Sequence, residues 1–318
     1  MTAQRPELEL LAEIELIASD GPVVVAVGGG HGLARALEAV TAYAGAITAI
    51  VTVADDGGSS GRLSPALEVP PPGDIRRALL ALTDADSPWR DLVGYRFAGG
   101  DVAGHSLGNL ILAALTDLLG DFESAVDAVG GMLGARGSVV PSASVPLTLC
   151  AEVDGIEISG QVAIARSRGH VERLWVDPAA AATPTALRAI TAADQIVLAP
   201  GSLYTSLLAV LVVDGVAEAI NASSGVLVQV ANLTTQDGET LGLSGADHVD
   251  ELTRVAGLRP PDHVIVHDGP LSVPESLTAL ALDEGPAVIR ADVADAAAGH
   301  PQHNPARLAA VLRRLVGG

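Results

Sequence analysis

Residues 22–63 read PVVVAVGGGHGLARALEAVTAYAGAITAIVTVADDGGSSGRL, and the fold follows from how this stretch divides. Pro22 to Val27 is a short, unbroken apolar run that ends in Gly28, Gly29 and Gly30, which predicts a buried strand running into a turn. GLARALEAVTAY, from Gly32, has helical spacing, and AITAIVTVA, from Ala46, is a second buried strand. Strand, helix and strand over about 30 residues make a βαβ unit. Strands that are continuously apolar, rather than alternating, belong to a parallel sheet covered on both faces.

The same rhythm continues away from this unit. GDIRRALLALTD, LGNLILAALTDLLG and DFESAVDAVGGMLG have helical spacing, and a further amphipathic helix is predicted at residues 7–17. From Val139 to Val176 the pattern alternates, and Asp154-Gly155 is a hairpin signal, so an antiparallel β-hairpin insertion is expected over about 139–176. ADQIVLAPGS, GVLVQVANLTTQ, DHVIVHDG and AVIRADV then read as strands. The chain ends in NPARLAAVLRRLVGG, where Asn304 can cap a helix and Pro305 suits its first position. The expectation is one α/β domain over residues 1–318, Rossmann-like and doubly wound, with a mainly parallel sheet and the hairpin as insertion.

Composition limits the partners. The formal charge is −20, which opposes binding to nucleic acid or an anionic membrane, both polyanions. Aromatic residues make up only 2% of the 318, so the core must be aliphatic. Cys150 is the single cysteine, which leaves no intrachain disulfide and no thiolate metal cluster. The N-terminus carries acids throughout its apolar pattern and does not read as a signal peptide. The apolar run between Asp194 and Asp214 is broken by Pro200-Gly201-Ser202, so it reads as a strand and a helix, not a membrane span. A cytoplasmic protein is expected.

Chemistry is expected at the carboxyl ends of the strands, where open parallel sheets bind ligands. At Gly28, Gly29, Gly30, His31 and Gly32 the backbone can approach a phosphate, and the following helix N-terminus favours its charge. The dinucleotide fingerprint is broken, because its sixth position is Leu33, and there is no Gly-Lys-Ser/Thr. Asp55 and Asp56 leave the second strand beside this turn. They suit ribose hydroxyls, or Mg²⁺ bridging to phosphate with Asp55 as ligand, or simply an acidic surface turn. In PPPGDIRRALL, Gly73 and Asp74 open a helix and Asp74 is a good cap. Arg76 and Arg77 lie in its unfavourable first turn, held there by an anionic ligand or by nearby acids. Pro200, Gly201, Ser202, Thr205 and Ser206 form a second strand-to-helix turn, with Ser202 as its expected cap and Ser206 on the same helical face. Asn232 and Thr235 end another strand, and Arg62 follows the Gly/Ser loop as a further positive group.

Two patterns are misleading. GHSLG matches a nucleophile elbow at Ser106, but YRFAGGDVA before it is a poor strand, so Asn109 and the amides of this helix start are the expected pocket elements. His263 and His267 lie four apart in a strand, about 13 Å, too far to share one metal.

Taken together, GGGHGL, ITAIVTVADDGGSSGRL, PPGDIRRALLAL, GHSLGNLILAAL, APGSLYTSLL and TTQDGETLGLSGADHV resemble the YvcK-like, gluconeogenesis-factor branch of the CofD-like family, from Val23 to about Leu315. The resemblance implies a Rossmann-like protein that binds UDP-sugars such as UDP-N-acetylglucosamine and UDP-glucose. It also implies support of growth on gluconeogenic carbon sources, of cell shape and of peptidoglycan synthesis. Cell-wall synthesis proteins and a Ser/Thr kinase are the implied partners, and a homo-oligomer is expected. By motif, the pocket would include Gly29, Gly30, His31, Asp55, Asn109, Gly201, Ser202, Asn232 and Thr235. The more distant branch is 2-phospho-L-lactate transferase, a Mg²⁺-dependent enzyme. A regulatory binding protein is expected first, such a transferase second and an NAD-binding oxidoreductase third, since no set of general base and nucleophile stands out. The chain departs from the family pattern at His31 (usually Thr), at His105-Ser106 (usually His-Asn), at Ala209-Val210-Leu211 and at Thr234-Thr235-Gln236-Asp237.

Overall fold

The computed structural model describes residues 21–271, 273, 278–282, 288–295 and 301–316. The helix expected at 7–17 lies outside the described residues. A seven-stranded sheet organises the chain. Its strands are β1 (Val23–Gly28), β2 (Ala46–Val51), β3 (Ser138–Pro141), β7 (Gln195–Leu198), β8 (Val226–Val230), β9 (His263–His267) and β10 (Val288–Ala291). They lie in the order β10-β9-β8-β7-β1-β2-β3, and every neighbouring pair is parallel. The winding reverses between β1 and β7, which is the doubly wound arrangement, and the crevice of such a sheet opens there.

Val24, Val25, Ala26 and Val27 are completely buried, as continuous apolar strands require. The helix α1 (Gly30–Val40) covers one face beside α3 (Gly73–Ala81) and the C-terminal helix Pro305–Leu312. Between these come α2 (Ser60–Leu67) and, further on, α4 (Pro88–Gly94), α5 (Leu107–Leu119) and α6 (Phe122–Leu133), which packs on α5. Small residues at Ala36, Ala39, Ala49 and Ala78, all buried, let helices approach the sheet closely, which compensates for the scarcity of aromatics. Asn304 caps the last helix, its side chain accepting from Arg307 N–H at 3.0 Å.

The insertion begins later than expected. Val139 and Val140 belong to β3, which pairs with β2 at the sheet edge. The antiparallel unit starts at β4 (Thr148–Val153), turns through Asp154 and Gly155 (φ 50° and 73°) into β5 (Ile156–Ser159), and is completed by β6 (Val171–Asp177). Two positive φ values in succession are the type I′ hairpin geometry that Asp-Gly favours. A three-residue apolar run such as Val139–Pro141 serves either kind of sheet, and only pairing with β2 decides. The short α7 (Gln161–Ile164) follows β5 and returns the chain toward the crevice. Among the described residues no helix is long and apolar enough to cross a membrane.

Candidate functional site

Three turns meet where the winding reverses. In the first, Gly28 and Gly30 have φ of 150° and 66°, a backbone path that side chains other than glycine resist. Gly32 answers to a different demand: a Cβ there would lie 1.8 Å from the carbonyl oxygen of Pro200, so the turns after β1 and β7 touch backbone to backbone. His31 is exposed, and desolvation together with Arg77, Arg35 and Arg76 holds its imidazole below the ordinary value.

Asp74 was expected to cap its own helix and does not. Pro72 is the N-cap of α3, and Asp74, buried in the first turn, reaches across to accept from Gly30 N–H at 2.9 Å while pairing with Arg77. A carboxylate of the chain thus already occupies the glycine-turn amide. The two arginines of this turn behave differently. Arg77 answers to the nearby acid, whereas the Arg76 side chain, whose Nε is buried without a partner, forms no ion pair among the described residues.

The second turn carries Asp55 and Asp56 apart. Asp56 is exposed and accepts from Val162 N–H at 3.0 Å, tying the loop to α7, so it serves the backbone. Asp55 faces inward and accepts from Gly57 N–H at 2.9 Å, with Ser60 as a second donor. Burial pushes its carboxyl above the ordinary range and the charge of Asp74 adds to this. Gly73 leaves room for this arrangement, since a Cβ there would sit 2.4 Å from Ser60 Oγ and 3.0 Å from Asp55 Oδ2.

The third turn opens a helix of unexpected pitch. Leu203–Leu208 is a π-helix, and the carbonyl of Ser202 accepts from both Ser206 and Leu207 N–H at 3.1 Å. Ser202 makes no side-chain cap, contrary to the expectation from its place in the turn. The cap is Glu239, from a loop far downstream, which accepts from Tyr204 N–H at 3.2 Å and from the Thr205 hydroxyl. A carboxylate at a helix N-terminus meets the positive end of the dipole. Asn232 clamps the preceding turn, with Oδ1 accepting from Gly201 N–H and Nδ2 donating to Gly201 O, both at 2.7 Å. Thr235 accepts from Thr278 N–H at 2.9 Å. Both side chains are committed to holding backbone.

The turns enclose a cleft of about 290 Å³, near the lower end of small-molecule sites. Of the expected residues, Gly30, Asp55, Asp74, Ser202, Thr205 and Ser206 line it. Gly28, Gly29, Gly32, Gly73, Pro200 and Gly201 shape its turns, Asn232 and Thr235 brace it, and Asp56 faces α7. Arg76 and Asn109 are elsewhere, as is Arg62, which donates to Ala103 O at 2.9 Å. Glu239, Gln161, Val162, Ala165 and Arg166 complete the lining with Arg77, and of these six only Arg77 stands out in the sequence. Gln161 and Arg166 come from the hairpin unit and Glu239 from a loop, and no local pattern ties them to the strand ends. The only local signal was the pair of cations in the first turn of α3.

Burial also raises the Glu239 carboxyl above the ordinary range. For a carboxyl so raised, the unfolded chain gives up its proton first as pH climbs above about 4. Stability from this source is therefore present at low pH and lost as pH rises through the folded-state value. A Glu239→Gln chain should lose less stability than the wild type between about pH 5 and about pH 8, read as Tm by calorimetry. Superimposable pH profiles would show that Glu239 carries no such strain.

Similarity to known proteins decides the family. The family model described as 2-phospho-L-lactate transferase CofD matches residues 24–303. The chain belongs to the CofD family. Within it, the named relatives place the chain in the gluconeogenesis-factor branch. The gluconeogenesis factor of Bacillus subtilis is 43% identical over 249 residues, 77% of this chain and 78% of that protein. That of Halalkalibacterium halodurans is 41% identical over 252 residues, 78% of each. A Mycobacterium tuberculosis protein classed under the same factor is 43% identical over 307 residues, 91% of this chain and 89% of its own. A crystal structure of a UPF0052-family protein from Bacillus halodurans superposes with a TM-score of 0.88 at 35% identity, covering 92% of this chain and 99% of that one. This CofD-family chain therefore shares its α/β architecture with a solved relative.

Proposed function

We propose that this chain is a cytoplasmic regulatory protein that binds a UDP-sugar, UDP-N-acetylglucosamine or UDP-glucose. In this reading it supports growth on gluconeogenic carbon sources, cell shape and peptidoglycan synthesis, with cell-wall synthesis proteins and a Ser/Thr kinase as partners. One observation carries the reading: at the strand reversal a single cleft is lined by Arg77 and Arg166, by the carboxylates of Asp55 and Glu239, and by the hydroxyl residues Ser202, Thr205 and Ser206. Guanidinium groups suit phosphate oxygens. Carboxylates and hydroxyls suit a sugar's hydroxyl rim. Because Asp74 holds the Gly30 amide, the pyrophosphate belongs on the arginines, and it reaches the glycine turn only by displacing Asp74.

A second reading is a transferase related to the phospholactate enzyme, and one observation favours it. Asp55 and Asp74 are close enough for the charge of one to raise the carboxyl of the other, a strain that a hard cation relieves. Two carboxylates plus ligand phosphates fit Mg²⁺, with Asp55 and Asp74 as its holders. When bound, the ion would supply charge neutralisation at phosphoryl oxygens.

Calorimetric titration with UDP-N-acetylglucosamine, UDP-glucose, NAD and GTP, each with and without Mg²⁺, separates the readings. Binding of a UDP-sugar without metal and without turnover is the expected result. Metal-dependent consumption of a nucleotide donor would replace it with the transferase, and binding of NAD alone would replace both.

A further inference from the structure

The helix α5 is turned inside out. Asn109 is almost fully buried, and the Thr116 hydroxyl donates to Leu112 O of its own backbone at 2.7 Å. The outward face runs Leu107, Leu110, Ile111, Ala114 and Leu118, one apolar stripe at helical spacing. Ala114 is exposed, Leu118 is 77% exposed, and the three residues before them are half-buried. The apolar surface continues onto α4. Tyr95 O accepts from Leu107 N–H at 2.8 Å, and Tyr95, Leu92 and Trp89, spaced three apart, are all exposed. A chain with 2% aromatic residues thus leaves a tryptophan and a tyrosine beside an uncovered helix. Monomeric proteins rarely expose contiguous apolar surface of this kind, and aromatic anchors are enriched where interfaces draw their energy.

The charges at the two ends of α5 identify what covers it. Arg62 donates to Ala103 O at 2.9 Å and Arg96 to Gly104 O, so two exposed guanidinium groups stand at the N-terminal end. Asp117, in the last turn, and Asp121, just beyond it, are exposed acids at the other end. None of the four forms an ion pair among the described residues. Each end therefore carries the sign that the helix dipole disfavours. A basic partner would satisfy the acids and repel the arginines, and an acidic one would do the reverse. A second α5 laid antiparallel satisfies both ends at once. We propose that two copies of this chain pair through α5 about a two-fold axis crossing the stripe between Ile111 and Ala114. Such an isologous contact sets Leu118 of each copy against Leu107 of the other and brings Asp117 to the other's arginine-flanked first turn. Ala114 is small and lies beside the axis, where the helices come closest. No charged residue occurs from Val102 to Thr116, so copies that each carry −20 can meet here without acid facing acid. The interface uses the outer face of α5 and is independent of what the cleft binds.

Sedimentation equilibrium of the full chain at micromolar concentration should give a dimer. Ala114→Arg changes an exposed position, so the variant should keep the wild-type circular-dichroism spectrum and sediment as a monomer. Charge reversal is the sharper test. Asp117→Lys in one chain, and Arg62→Glu together with Arg96→Glu in another, should each raise the dimer dissociation constant about 10- to 100-fold. In either case both junctions of the pair then hold like charges. Mixed in equal amounts, the two variants should return to the wild-type constant, since each junction of the mixed dimer again holds opposite charges. A monomeric wild type overturns the proposal and leaves the face to a different protein. A dimer indifferent to Ala114→Arg, or charge variants that weaken it without recovery on mixing, overturns it as well. UDP-sugar binding by a monomeric wild type would remove the interface and leave the nucleotide-sugar reading standing.

Discussion

Replacing Gly32 with alanine is expected to cost more than about 3 kcal/mol, a large share of the ~5–15 kcal/mol that holds a typical domain folded. A Cβ at this position would lie 1.8 Å from Pro200 O and 2.9 Å from Gly201 N. Both are backbone atoms, held in turn by the Asn232 clamp, so no side chain can swing aside to admit the methyl group. The two turns would have to separate, and with them the cleft they share. Gly131 provides the contrast, being an exposed position in α6 with an ordinary helical φ and nothing within 4 Å of where a Cβ would stand. Gly131→Ala should stabilise by roughly 0.5–1 kcal/mol through backbone entropy alone. Urea denaturation of both variants checks the pair, and a Gly32→Ala chain within about 1 kcal/mol of wild type would refute the contact between turns.

Asp55→Asn is expected to weaken ligand binding roughly 10- to 100-fold, the loss of one or two hydrogen bonds to a charged group. Thermal stability should be unchanged or slightly raised. The native carboxylate is disfavoured by burial and by Asp74, so neutralising it removes a repulsion. Titration calorimetry and a melting curve on the same preparation measure both effects. A fall of many degrees in Tm with affinity intact would make Asp55 a bracket for the Gly57–Ser60 loop and nothing more.

These expectations rest on contacts of very different legibility. Val23–Gly28, the helix from Gly30 and Ala46–Val51 are local statements, and their apolar runs and glycines announced them. The role of each glycine was not announced. Gly28 and Gly30 are required by their own φ, whereas Gly32 is required by Pro200, far along the chain, and nothing near residue 32 carries that information. Asp74 illustrates the same limit. In sequence it is a helix cap; in the fold it is the anion of a neighbouring turn, because α3 is packed against α1. Ser202 lost its expected role to Glu239 for a like reason: a loop far downstream delivers the carboxylate that takes the Tyr204 amide.

By itself, then, the order of apolar runs, glycines and caps determined a parallel α/β sheet with an Asp-Gly hairpin, because strand, helix and turn preferences are written within a few residues of where they act. The gathering of Asp55, Asp74, Arg77 and Glu239 into one cleft, and the seclusion of Arg76 and Asn109 outside its lining, was decided only by tertiary structure. Contacts across the strand reversal join segments with no sequence periodicity in common. A charge's meaning depends on which partner that packing delivers.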